Sequence, residues 1–162
     1  MKRFVLAVAA TVSLAVGVAT VSTTAGASEH GRVFTAHLVG AEEVPAVETR
    51  ATGQAVLKVD RDGSALHYRL IVANIEDVAQ AHIHVGPAGT NGGVVAFLYG
   101  PAPVAGRTAG VLATGTITAA DLIGPMAGAS LDDLLDAIRS GNAYVNVHTA
   151  TNPGGEIRGQ IG

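Results

Sequence analysis

The sequence predicts an all-β domain, an antiparallel β-sandwich with one or two short helices before the last two strands. Three observations predict it. Seven or eight short runs read as β-strand, with the alternation of half-buried strands clearest in Ala51 to Asp60 and Ala65 to Asn74. Glycine-rich turns separate them, with 21 glycines in 162 residues. The firmest helical spacing, at Leu131, Leu134, Leu135 and Ile138, is confined to one stretch near the C-terminus.

The elements follow in chain order. Val33 to Val39 is a short β-like run, and Ala51 to Asp60 alternates through Ala55, Leu57 and Val59. Asp60-Arg61-Asp62-Gly63 is a turn signal, and Ala65 to Asn74 follows with Leu66, Tyr68, Leu70 and Val72 on one face. These two runs are expected to form a hairpin. Val78 to Val85 is the next strand, and a glycine-rich loop, Gly86 to Gly93, leads into Val94 to Tyr99. After the break at Gly100-Pro101-Ala102-Pro103, Gly110 to Thr118 reads as strand. Thr118 with Asp121, and Ser130 with Asp133, have the spacing of helix capping boxes. A helix is predicted from about Leu131 to Ser140, closed by Gly141. The last strands are Ala143 to Thr149 and Gly155 to Ile161.

The N-terminus has the layout of an export signal. Lys2 and Arg3 precede an almost wholly apolar stretch, Phe4 to Val21, and Ala25-Gly26-Ala27 fits a small-x-small cleavage site. Residues 1–27 are therefore expected to be a cleaved signal peptide, 28–32 a flexible lead-in, and 33–162 the folded domain. A protein secreted or periplasmic, and not integral to the membrane after cleavage, is the implication. Without Lys2 and Arg3, eight basic residues stand against 13 acidic ones, a net of −5. No basic cluster survives to suit nucleic acid. With no cysteine, no disulfide braces the fold, so the core alone must hold it. Five aromatics beyond the leader, Phe34, Tyr68, Phe97, Tyr99 and Tyr144, are too few for a sugar- or base-stacking platform.

Chemistry concentrates in two strands. Side chains at i and i+2 of a strand share a face, so His82 and His84 point one way. Tyr144, Asn146 and His148 likewise share a face, opposite Val145 and Val147. If the strands are neighbours, His82, His84 and His148 gather. Two readings stay open: a metal site for copper or zinc, or histidines that hydrogen-bond the loops Gly86 to Gly93 and Thr149 to Gly154. His37 and His67 are candidate fourth ligands, and His30 falls in the lead-in. Glu156 and Arg158 alternate on the last strand. A solvated cross-strand pair is favoured for them over an ion pair that orients His148. Glu42 and Glu43 read equally as cation ligands or as surface acidity. No Gly-x-Ser-x-Gly elbow and no cysteine support nucleophilic hydrolysis. Asn91-Gly92-Gly93 precedes a strand, not a helix, so it is read as a turn instead of a phosphate cradle. No catalytic residue is assigned.

Gly40-Ala41-Glu42-Glu43-Val44-Pro45, Ala51-Thr52-Gly53, Ala81-His82-Ile83-His84, Asn91-Gly92, Tyr144 to Thr149 and Pro153 to Gln160 together resemble the CHRD domain. That family is named for chordin, an animal extracellular antagonist of growth factors, and also occurs as single secreted modules in bacteria. The motifs stand in the family's order from about Phe34 to Ile161. One departure is the single proline in Val44-Pro45-Ala46, where the family often has two. The resemblance implies an extracellular β-sandwich of immunoglobulin- or superoxide-dismutase-like architecture. It also implies a secreted, non-enzymatic module that binds a protein or cell-surface partner. The alternative is a small copper- or zinc-binding protein using His82, His84 and His148. His-x-His is similar to an element of the copper site of Cu,Zn superoxide dismutases, but those enzymes need a fuller histidine set. Dismutase activity is thus a distant third expectation.

Overall fold

Strand β1, Val33–Val39, buries Phe34, Ala36 and Leu38 and turns the residues between them outward. The same alternation builds β2, Thr52–Val59, and most of β3, Leu66–Glu76, and the two pair as the expected hairpin. These strands belong to the computed structural model of the chain, which describes residues 32–104 and 106–162. The expected signal peptide and residues 28–31 of the lead-in, His30 among them, lie outside the described residues. Arg32 donates to the Asp60 carbonyl at 3.2 Å.

The remaining strands are β4, Val78–Val85; β5, Gly93–Tyr99; β6, Arg107–Ile117; β7, Ala143–Thr149; and β8, Ile157–Gln160. All eight join one antiparallel sheet in the order β5-β4-β7-β8-β1-β2-β3-β6. The sheet folds over on itself, a sandwich approaching a barrel. Its two edge strands, β5 and β6, come into contact, and the Tyr68 hydroxyl on β3 donates to the Leu98 carbonyl on β5 at 2.8 Å. Between the two halves lies an aliphatic core that includes Leu38, Leu57, Leu70, Ile83, Val145, Val147 and Ile157. In β3 the alternation breaks after Val72. Asn74 takes a φ of 54°, the register to β6 shifts, and Ile75 turns inward instead of Asn74.

Thr118 and Asp121 do form a capping box, but it opens only a 3-10 turn, Ala119–Asp121. The Ser130–Asp133 box opens helix α1, Leu131–Arg139. Leu131, Leu134, Leu135 and Ile138 form its buried face, each stabilising the fold by about 2 kcal/mol. The helix packs on β7 and precedes it directly in the chain, which anchors that strand in the middle of one half of the sheet. Among the described residues no helix is long and apolar enough to cross a membrane.

Candidate metal centre

Strands β4 and β7 are neighbours, so the condition for gathering the histidines is met. His82 stands opposite Asn146, His84 opposite Tyr144, and Gln80 opposite His148. Ala81, Ile83, Val145 and Val147 fill the core side. The histidine side of the sheet is buried as well, and every residue of β7 is inaccessible. Ordinarily one face of an antiparallel sheet meets water. Here the loops around Glu43, Gly86–Gly93 and Pro153–Gly155 cover it.

One nitrogen from each of His82, His84 and His148 lies within 4.8 Å of the others, the only such group of three or more candidate ligands among the described residues. Hydrogen bonds set the tautomers. His148 Nδ1 sits 2.9 Å from the Pro153 carbonyl and His84 Nδ1 sits 3.0 Å from the Gly92 carbonyl. A carbonyl only accepts, so both Nδ1 atoms carry the hydrogen and both Nε2 atoms carry a lone pair when the rings are neutral. His82 Nδ1 lies 3.0 Å from His148 Nε2 and must donate to it, which leaves His82 Nε2 bare too. His82 Nε2 and His84 Nε2 are buried without any partner.

The rings are held in the neutral form. Burial, then the nearby His148 and His84, pushes His82 down to about 4. Burial also lowers His84, against the Gly92 bond, with His148 and Arg158 adding to the lowering. Burial lowers His148, opposed by its bond to Pro153. His84 and His148, neutral with Nδ1–H tied to backbone carbonyls, have the arrangement in which histidines bind metal through Nε2, and an ion on His148 Nε2 must displace the bond it accepts from His82 Nδ1. A tetrahedral ion with bonds of 2.0–2.1 Å needs donors about 3.3 Å apart, so the rings must close in by modest rotation when one binds.

The surroundings are equally ordered. Tyr144 stacks on His84 at 4.8 Å, and its hydroxyl accepts from Gly92 N–H at 3.0 Å. Arg158 lies 3.5 Å over the Tyr144 ring centre and is 1% exposed. Its guanidinium donates to the Thr90 and Pro87 carbonyls and to Asn91 Oδ1, at 2.9, 3.2 and 3.3 Å, which ties down the Gly86–Gly93 loop. Phe97, half-exposed on the edge strand β5, sets its edge against His82 at 4.6 Å. Asn146 Nδ2 donates to both oxygens of Glu43, at 2.9 and 3.0 Å. Gly155 lies against that pair with a φ of +131°, and a Cβ there would overlap Asn146 Nδ2 and Glu43 Oε1. At Gly92 a Cβ would overlap the Val85 carbonyl.

A comparison with protein families matches residues 34–161 to the CHRD domain. The chain belongs to the CHRD domain family. Neither a curated protein nor a solved structure matches it.

In this CHRD domain His84 and His148 bond the loops through Nδ1, as the loop-bonding reading expects, whereas His82 bonds His148 instead, and all three rings still cluster. Other expectations change. His37 is exposed on β1, and His67 is exposed on β3 beside Thr116 Oγ1 at 3.0 Å, so neither joins the cluster. The solvated Glu156–Arg158 pair is wrong. Arg158 is buried against carbonyls, and Glu156 precedes β8 and accepts from Thr49 and Thr149 hydroxyls at 2.8 and 2.7 Å. Nor do the two form an ion pair. Glu43 is not surface acidity either: it is 6% exposed. Burial raises its pKa to about 7, against the opposing pull of Arg158, Asn146 and the Val44 backbone. It forms the floor of an open cleft of about 290 Å³ walled by Val44, Pro45, Asn91 and residues 151–155.

Proposed function

We propose that this CHRD domain is an exported, non-enzymatic module that binds one Zn²⁺ or Cu²⁺ through His82, His84 and His148. Export rests on the leader pattern of residues 1–27 and on the extracellular character that the family resemblance implies. One observation carries the metal reading. Three buried side-chain polar atoms among the described residues lack a partner: His82 Nε2, His84 Nε2 and Asn146 Oδ1. All belong to this one face. A buried polar atom left without a hydrogen bond costs about 1–3 kcal/mol, so three together in an otherwise satisfied interior call for a ligand that engages lone pairs. A divalent cation does so, and imidazole nitrogen suits both zinc and copper. Binding of a protein or surface partner rests on family resemblance alone. It is compatible with a metal held inside the fold.

The experiment is elemental analysis of the chain purified without an affinity tag, followed by titration with Zn²⁺ and Cu²⁺. The expected result is about one ion per chain, lost when His84 and His148 are replaced by alanine. No ion retained, and no change in thermal stability on titration, refutes the metal centre and leaves the histidines as loop anchors.

A further inference from the structure

We infer that Asn146 Oδ1 is the fourth donor of this centre, which closes it as a four-coordinate site of three imidazoles and one amide oxygen. The inference rests on the metal reading and adds to it a ligand and a consequence.

The argument starts from strand order. Strand β7 lies between β4 and β8, so Asn146 has His82 opposite it on one side and Arg158 on the other. Glu43 follows β1, which pairs with β8 at Val39 and Arg158, and the Gly40–Glu42 turn leading into it packs on β8. Glu43 therefore reaches Asn146 from the β8 side. By accepting from Nδ2 with both of its oxygens, it turns the amide nitrogen toward β8. The two arms of a planar amide diverge, so we infer that Oδ1 lies on the β4 side, toward the histidines. It is buried there with no hydrogen-bond donor, on a residue 3% exposed. Directly opposed side chains on neighbouring strands have Cβ atoms about 4.5–5.5 Å apart, close enough for both to reach one ion. Gly155 completes the clamp. Asn146 Nδ2 and Glu43 Oε1 occupy the space that a Cβ there would need.

This donor changes what the centre can do. Three protein ligands with a free position hold a water and suit metal-hydroxide chemistry, whereas four protein ligands make a holding or structural site. A neutral amide oxygen beside three imidazoles also suits Zn²⁺ or Cu²⁺ better than a soft monovalent ion.

Water-proton relaxation of the full chain loaded with Cu²⁺ tests this without any variant. The expected relaxation is that of a closed ion, with no rapidly exchanging water in its first coordination sphere. Asn146→Ala should admit a water, raise the relaxation, and weaken Cu²⁺ binding at least about tenfold. An exchanging water on the ion in the parent chain overturns the fourth donor, whatever the affinity of the variant. A parent chain that holds neither Cu²⁺ nor Zn²⁺ refutes the three-histidine centre itself, so the two failures are told apart.

Discussion

Replacing Arg158 with methionine keeps much of the side-chain volume and removes the guanidinium. The loss can be worked from its contacts. Three charge-assisted hydrogen bonds to the Gly86–Gly93 loop, at 2.9, 3.2 and 3.3 Å, disappear together with the stacking on Tyr144 at 3.5 Å. Hydrogen bonds to a charged group contribute about 1.5–3 kcal/mol each and a desolvated cation–π contact about 2 kcal/mol. The loop carbonyls recover water in the variant, and burying the charge had its own cost, so the net loss is smaller than that sum. A buried acceptor left without a donor costs about 1–3 kcal/mol, and with water recovered at part of these three we take about 3–5 kcal/mol as the expected destabilisation. For a domain of this size that lowers Tm by roughly 10–15 °C. Urea unfolding followed by far-ultraviolet circular dichroism suits a chain without tryptophan. A loss below about 0.5 kcal/mol, the value expected of a solvated surface pair, would refute the reasoning. A second comparison sharpens it. Glu156 and Arg158 share no ion pair or hydrogen bond, so a double-mutant cycle of Glu156→Gln and Arg158→Met should show a coupling well below that of a buried ion pair.

Two further outcomes are expected. Gly155→Ala combines a backbone at φ +131° with overlap of Asn146 and Glu43. It should cost at least about 2 kcal/mol in urea unfolding and weaken metal retention, and a neutral effect would show that the clamp is not tight. The metal-free chain should also show opposed pH dependences. Histidines held below their usual 6.5 leave the unfolded state binding more protons, so stability falls as pH drops from 6.5 toward about 4. Glu43, raised from 4.5 to about 7, acts the other way: its contribution is complete below 4.5 and is lost as pH rises through about 7. The histidines and the carboxyl therefore oppose each other below pH 6.5, and above it only the Glu43 loss remains. Melting curves of the parent and of Glu43→Gln between pH 4 and 8 check this. The variant should lose the decline above about pH 6.5, and a persistent decline would place its cause elsewhere.

Local periodicity was enough for most of the fold. Apolar alternation in β1, β2 and β3 reports the buried face, because a strand's own geometry decides which side chains point together. Ser130 and Asp133 mark the start of α1 for a similarly local reason, since a capping box is closed within four residues. The same rule placed His82 with His84, and Tyr144 and Asn146 with His148. Tertiary structure alone decided that β4 and β7 are adjacent, across 66 positions between His82 and His148. It also decided the fate of the charged residues. Glu43, Arg158 and Glu156 sit in sequence contexts typical of solvent-facing side chains, yet loops from distant parts of the chain bury the first two. A residue's charge predicts exposure only until another segment supplies hydrogen bonds that replace water. The carbonyls of Thr90 and Pro87 do this for Arg158, and the Asn146 amide does it for Glu43. The orphaned nitrogens arise at that same level, because only the folded loops determine which end of each imidazole is already satisfied.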